Sequence, residues 1–142
     1  MSNPSILLLD DDIELLNALG KFLRKRGYNV TATAWPTDAV EIIGKAGKNF
    51  DIVITDLRMP AISGFTLIRA LRESHPEISV IMLSAFANRT IQQAALDFGA
   101  IACLEKPVDT QMLLNVIRNV GPSSQFQAGE QPDFQPIQCE VI

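Results

Sequence analysis

Short apolar runs alternate with amphipathic segments along most of the chain. The runs have the length and β-branched content of buried strands, and they occupy residues 6–9, 28–32, 52–55, 78–83 and 101–104. After each run, apolar residues recur three or four positions apart, which is the spacing of one helix face, as in Ile13, Leu16, Leu19 and Leu23. The pattern therefore predicts five strands, each followed by a helix.

Residues that begin or end helices lie at the boundaries of these amphipathic segments. Asp12 and Thr37 precede the first and second segments, where a side-chain oxygen can cap free backbone N–H groups. Gly27 and Gly99 follow the first and fourth segments, as glycines beyond a helix C-terminus commonly do. The third helix must end before Pro76.

The predicted strands are apolar on both faces, which is typical of a parallel sheet covered by helices on both sides. In such sheets, ligands bind beyond the carboxyl ends of the strands. Five polar residues far apart in the sequence fall just after strands, namely Asp10, Asp11, Asp56, Ser84 and Lys106. We expect them to lie together at one edge of the sheet.

Length and composition indicate one globular domain followed by a short extension. The chain has 142 residues, of which 47% are hydrophobic, and this is enough for a sizeable core. We assign residues 1–120 to the domain. From Gly121 onward, proline, glycine, serine and glutamine predominate, so we interpret residues 121–142 as a disordered tail or the beginning of a linker.

Charge and hydropathy argue against several classes of protein. No apolar stretch approaches the ~20 residues that span a bilayer, and the N-terminus lacks the pattern of a signal peptide. We therefore expect a cytoplasmic protein with no membrane contact. Its two cysteines, Cys103 and Cys139, form neither a disulfide framework nor a metal-binding spacing. The net charge of −4 argues against direct binding of nucleic acid.

The polar residues at the predicted sheet edge favour phosphoryl chemistry. Three carboxylates at one edge would repel one another unless a cation lay among them, and Mg²⁺ accepts carboxylates while leaving positions for phosphate oxygens. An aspartate beside that ion can act as a nucleophile and form an acyl phosphate. Lys106 offers a further positive charge, and the Ser84 hydroxyl can donate a hydrogen bond.

Several motifs, taken together, resemble the receiver domains of response regulators in bacterial two-component systems. They occur in the expected order at residues 7–12, 54–60, 63–64, 81–85 and 105–107. The resemblance covers residues 5–120. It implies a flavodoxin-like, doubly wound α/β fold with a five-stranded parallel sheet of order 2-1-3-4-5 and five helices.

The resemblance also implies a role for each site residue. Asp56 would accept the phosphoryl group. Mg²⁺ would be held by Asp56, by Asp11 directly, by Asp10 largely through water, and by the backbone carbonyl of Arg58. The remaining roles fall to Ser84 and Lys106, which would contact the phosphoryl group, and to Pro107, which would follow a cis peptide bond.

A receiver domain has characteristic partners and no turnover of its own. The donor would be a phosphohistidine on a sensor histidine kinase or a histidine phosphotransfer protein. Output would run to a downstream protein or output domain through the face formed by the fourth helix, fifth strand and fifth helix. The protein would assist only its own phosphorylation and dephosphorylation, and whether the phosphorylated form dimerises is left open.

Two positions, Cys103 and Ser63, depart from the common pattern of this family, Ser63 because an aspartate is common before the glycine. The switch position three residues before Lys106 usually carries Tyr or Phe but here is Cys103, which places the usual coupling in doubt. A redox role for Cys103 is the less favoured alternative, because a cysteine in an apolar strand is usually inert. Arg58 and Phe86 occupy the variable positions that flank the acceptor. This bulky pair predicts slow dephosphorylation.

Two rival interpretations compete with a complete receiver protein. The pattern at Asp10 and Asp12, with a later serine and lysine, also outlines a haloacid-dehalogenase-type phosphatase that would use Asp10 as its nucleophile. That interpretation leaves Asp56 without a role. Alternatively, the receiver is excised from a larger transcription factor or hybrid kinase, with residues 121–142 beginning its linker.

Overall fold

Strands and helices alternate throughout the part of the chain that the computed structural model describes, namely residues 4–44, 50–59, 62–86 and 88–120. The strands are β1 (Ser5–Leu9), β2 (Asn29–Thr33), β3 (Ile52–Asp56), β4 (Ser79–Ser84) and β5 (Ala102–Glu105). The helices are α1 (Ile13–Lys25), α2 (Pro36–Gly44), α3 (Gly64–Ser74), α4 (Arg89–Phe98) and α5 (Thr110–Val120). The predicted tail, residues 121–142, lies outside the described residues.

The strands form one parallel sheet in the order β2-β1-β3-β4-β5. The predicted fold class and strand order are thereby confirmed. The order reverses beside β1, which pairs with β2 on one side and with β3 on the other. In open α/β sheets the crevice for ligands lies at such a reversal, beyond the carboxyl ends of the strands.

The two faces of the sheet carry separate cores because successive strand residues point to opposite sides. Ile6 and Leu8 face the cluster built with α1 and α5, whereas Leu7 and Leu9 face the cluster built with α2, α3 and α4. Each amphipathic helix buries its apolar stripe against one face. The apolar character of the strands on both faces, seen in the sequence, reflects this arrangement.

Several predicted boundaries shift by one residue or more. Asp56 and Ser84 are the last residues of β3 and β4, not residues that follow them, because the ladder continues through the pairs Asp56 with Leu83 and Ser84 with Glu105. Helix α2 begins at Pro36, so Thr37 lies inside its first turn and is not the cap.

The other predicted helix boundaries are confirmed. Asp12 caps α1 by accepting the Leu15 N–H at 3.2 Å. Gly99 ends α4 with φ at 117°, a left-handed conformation that favours glycine. Helix α3 ends at Ser74, ahead of Pro76. The loop from β1 into α1 is thus held by a cap, and this fixes the main chain around Asp10 and Asp11.

Candidate functional site

Three carboxylates converge at the carboxyl edge of the sheet. Asp10 and Asp11 follow β1, and Asp56 ends the neighbouring strand β3, so the sheet order brings them together. Each contributes an oxygen to a group whose members all lie within 4.8 Å of one another. Asp10 and Asp56 are buried, whereas Asp11 is exposed. The cluster therefore has a solvent-facing side on Asp11.

Lys106 joins the cluster from the end of β5. Its Nζ lies 2.8 Å from Asp10 Oδ2 and 3.4 Å from Asp56 Oδ1, so one ammonium group contacts both buried carboxylates. The other Asp10 oxygen, Oδ1, accepts the Asp12 N–H at 2.9 Å. The peptide bond between Lys106 and Pro107 is cis.

The electrostatics of the cluster are unbalanced in favour of negative charge. Burial raises the pKa of Asp10 and of Asp56, and the attraction of Lys106 only partly opposes this rise. Burial by itself would lower the pKa of Lys106. The hydrogen bond to Asp10 and the charges of Asp10 and Asp56 outweigh that effect and raise the pKa. A single ammonium group therefore faces more carboxylate charge than it neutralises.

The donor set fits a hard divalent cation. Carboxylate oxygens are the ligands that Mg²⁺ accepts, and Mg²⁺ commonly uses one or two carboxylates while it keeps water and phosphate oxygens. The oxygens of Asp10, Asp11 and Asp56 are close enough to share one ion, and the residual negative charge favours it. The acidic cluster is of the kind that forms the metal site of a receiver domain.

Ser84 ends β4 beside β3 and is buried. Its Oγ accepts the Phe86 N–H at 3.1 Å, so the hydroxyl proton remains available to a further acceptor. The Phe86 side chain is 64% exposed. The Arg58 guanidinium carbon lies 5.6 Å from the centre of its ring, within the range of a cation–π contact. Arg58 and Phe86, the two variable positions near Asp56, are therefore in contact.

The residue at the expected switch position lies in the core. Cys103, in β5, is buried in the cluster on the α2–α4 side of the sheet, together with Met82 and Ala95. The thiol thus fills a small interior volume close to α4. An aromatic ring would need substantially more space there.

No individual role was expected for Thr55 or Gly64, which both contact the main chain of Asp56. Thr55 is buried and its hydroxyl donates to the Asp56 carbonyl oxygen at 3.1 Å. Gly64 opens α3 with no space for a Cβ beside the same carbonyl. Only the adjacency of Thr55 to Asp56 and the presence of a glycine after Ser63 hinted at either contact.

The phosphatase interpretation requires a role for Asp12 that its geometry does not favour. The Asp12 carboxylate accepts the Leu15 N–H as the cap of α1. Asp10, the nucleophile in that interpretation, is buried and paired with Lys106. The most exposed carboxylate of the cluster is Asp11, and Asp56 shares the ammonium group with Asp10.

Comparison with known proteins identifies the family. Residues 6–118 match the model of the response regulator receiver domain, and the chain belongs to that family. It is 30% identical over 118 residues to the sensor kinase CckA of Brucella abortus, an alignment that covers 83% of this chain and 12% of that protein. The chain spans between 12 and 31% of the length of the first curated relatives it matches.

Two solved structures show the same architecture. A response regulator receiver domain from Clostridium thermocellum is 30% identical, with a TM-score of 0.77, covering 82% of this chain and 93% of that one. A response regulator from Burkholderia pseudomallei, solved with a phosphorylated aspartic acid, calcium ion and citrate, is 25% identical, with a TM-score of 0.74. That alignment covers 89% of this chain and 72% of the other.

In the part of the chain that the structure describes, no helix is both long and apolar enough to cross a membrane.

Proposed function

We propose that this domain is a phosphorylation switch in which Asp56 accepts a phosphoryl group from a phosphohistidine. The observation that carries the proposal is the cluster itself, in which three carboxylates lie together and one ammonium group contacts both Asp10 and Asp56. The phosphorylated aspartic acid in the Burkholderia pseudomallei relative supports the same chemistry.

The transfer needs little beyond positioning and charge neutralisation. A carboxylate oxygen of Asp56 forms a bond to phosphorus while the bond from phosphorus to the donor imidazole nitrogen breaks. The imidazole keeps the electron pair and takes up a proton, and Asp56 becomes an acyl phosphate. In this proposal Lys106 loses part of its contact with the Asp56 carboxylate and pairs with a phosphoryl oxygen. The Ser84 hydroxyl donates to another oxygen.

A divalent cation, Mg²⁺ by preference, completes the proposed site. Asp10, Asp11, Asp56 and the backbone carbonyl of Arg58 would hold it. When bound, it would neutralise charge on the phosphoryl oxygens. Asp10 would also keep Lys106 in place through their ion pair.

By analogy with the family, we propose a sensor histidine kinase or a histidine phosphotransfer protein as donor. We propose a protein contact through α4, β5 and α5 as output. The domain would assist its own phosphorylation and dephosphorylation without turnover of an external substrate. Because the chain spans a small share of its relatives, the activity of any longer protein that contains it is part of the proposal.

The test is the mass of the intact protein after incubation with a small acyl-phosphate donor, with and without Mg²⁺. We expect one Mg²⁺-dependent phosphoryl adduct on the wild type and none on Asp56→Asn. A second arm measures hydrolysis of a phosphate monoester. Turnover that persists in Asp56→Asn and disappears in Asp10→Asn would establish a phosphatase in place of a receiver.

A further inference from the structure

The main chain of Asp56 is packed unusually closely by the first residue of α3. An ideal Cβ placed on Gly64 would lie 2.6 Å from the Asp56 carbonyl oxygen and 2.9 Å from Leu57 Cα. Both neighbours are backbone atoms, so neither can rotate away as a side chain would. A side chain at position 64 would therefore displace the strand end, the helix start, or both.

Hydrogen bonds hold the same stretch of main chain from other sides. The Thr55 hydroxyl donates to the Asp56 carbonyl oxygen at 3.1 Å and lies 3.8 Å from Met59 Sδ, in the loop that follows. The Gly64 N–H donates to the Leu57 carbonyl at 2.8 Å, and the Leu57 N–H donates to the Leu83 carbonyl at 3.0 Å. Leu57, which follows Asp56, is thus hydrogen-bonded to β4 and to α3, and the Asp56 carbonyl itself accepts from Thr55.

The other two glycines within the helices that the structure describes do not show this close approach. A Cβ on Gly44 would meet nothing within 4 Å, and a Cβ on Gly20 would meet only the flexible end of Arg24. A simple preference for glycine at helix ends does not explain the contact at Gly64. The difference is specific to the helix that begins beside the acceptor strand.

We propose that Thr55 and Gly64 are positioning residues for the phosphoryl-transfer site. They fix the main chain of Asp56 and of the loop that carries the Arg58 carbonyl, and so hold the Asp56 carboxylate in line with the donor. The inference rests on the proposed function of Asp56 as phosphoacceptor. Phosphoryl transfer is sensitive to such placement, since a shift of about 1 Å in a reacting group can lower a rate about 100-fold.

Four single substitutions separate positioning from general destabilisation. Gly64→Ala introduces the clash, and Gly44→Ala makes the same chemical change at an open helix position. Thr55→Val keeps the shape of the side chain and removes the hydroxyl, whereas Thr55→Ser keeps the hydroxyl. For each variant the measurements are the rate of adduct formation with a small acyl-phosphate donor at several donor concentrations, the Mg²⁺ dissociation constant by calorimetry, and the midpoint of thermal unfolding.

We expect Gly64→Ala to lower the rate of adduct formation about tenfold or more and to weaken Mg²⁺ binding, while Gly44→Ala matches the wild type. Thr55→Val lowers the rate by a smaller factor, and Thr55→Ser recovers most of it. The loss appears in the maximal rate at assay temperatures well below every unfolding midpoint. If Gly64→Ala does not fold, the pair at Thr55 decides the question by the same readouts.

Wild-type rates and Mg²⁺ affinity in the folded Gly64→Ala variant would overturn the inference, as would equal rates for Thr55→Val and Thr55→Ser. Both results leave the proposed function intact, because the wild type still forms an adduct that Asp56→Asn does not. Absence of any adduct on the wild type would instead contradict the proposed function.

Discussion

The segments that leave the neighbouring strands β3 and β4 differ in packing, because Leu57 after β3 is buried whereas Phe86 after β4 is exposed. At the end of β3, the main chain of Asp56 is bonded to the Thr55 hydroxyl and packed against Gly64. Beyond the end of β4, the Phe86 N–H donates to Ser84 Oγ, and Phe86 is 64% exposed. The main chain at Asp56 is thus closely packed, whereas Phe86 on the neighbouring strand's loop faces solvent.

A groove lies beside the loop that follows β3. This open depression of about 630 Å³ is lined by Leu57, Arg58, Met59, Ile62, Ser63, Phe65 and Ile91. Arg58 lines it and also contacts the Phe86 ring. In the proposed function, transfer at Asp56 requires a fixed position and signalling requires a segment that can respond. We therefore expect the closely packed end of β3 to serve the first task and the exposed residues after β4 to serve the second.

The largest expected effect concerns the Lys106 ammonium group, which follows β5 and contacts Asp10 and Asp56. Lys106→Met leaves the buried Asp10 carboxylate without its cationic partner, which is 2.8 Å away in the wild type. We expect the free energy of unfolding to fall by about 3 kcal/mol without Mg²⁺, as when one partner of a buried pair is removed. Urea denaturation measures this loss, and Lys21→Met, at an exposed position of α1, is the matched control. Equal losses in both variants would contradict the role of the pair.

Removing one carboxylate is expected to stabilise the fold, whereas removing the ammonium group is expected to destabilise it. Asp56→Asn should raise the free energy of unfolding by roughly 1 kcal/mol at pH 7 without Mg²⁺, as substitutions at strained functional sites commonly do. Burial raises the pKa of Asp56, so the folded wild type takes up a proton more readily than the unfolded chain. This stronger proton binding by the folded state stabilises the wild type fully below the usual pKa of 3.8. The stabilisation is lost as pH rises through the folded-state pKa.

The advantage of Asp56→Asn should therefore vanish in acid and grow toward neutral pH. Mg²⁺ should reverse it, because an ion that binds the folded wild type more tightly stabilises that protein selectively. Denaturation series at several pH values, each with and without Mg²⁺, measure both effects. A variant less stable than the wild type at pH 7 without Mg²⁺ would contradict the charge imbalance of the cluster.

The smallest expected effect concerns the exposed strand end. Arg58 and Phe86 meet near the acceptor and can shield an acyl phosphate from water. We expect the half-life of the phosphorylated protein to shorten several-fold in the double variant Arg58→Ala, Phe86→Ala. This corresponds to a decrease of less than about 1 kcal/mol in the activation free energy of acyl-phosphate hydrolysis. Decay of the adduct mass measures it, with Phe98→Ala at the other end of α4 as control. An unchanged or longer half-life in the double variant would refute shielding.

The sequence could predict the fold because its pattern is consistent at every level. Apolar runs such as residues 52–55 cannot be anything but interior in a chain of this size, and the caps at Asp12 and Gly99 delimit the helices between them. It could also predict which polar residues share the sheet edge, because parallel strands end on the same side. It misplaced the ends of β3 and β4, since a polar residue there still pairs in the ladder.

Contacts that depend on loop paths could not be predicted. Whether Gly64 lies against Asp56 depends on the path of the loop that leads into α3. The residue type at position 64 does not reveal its distance from the Asp56 carbonyl. The burial of Cys103 was expected from its apolar strand, but its place in the same core cluster as Met82 and Ala95 does not follow from residue type. Similarly, the approach of Arg58 to Phe86 depends on two loops.

The most direct test of the central claim is to locate the modified residue chemically. Borohydride reduces an aspartyl phosphate to homoserine, so peptide mapping of the reduced, Mg²⁺-treated adduct identifies the acceptor. We predict homoserine at position 56 and unmodified aspartate at positions 10 and 11. Homoserine at position 10, or an adduct that yields none, would show that phosphoryl transfer does not occur on Asp56.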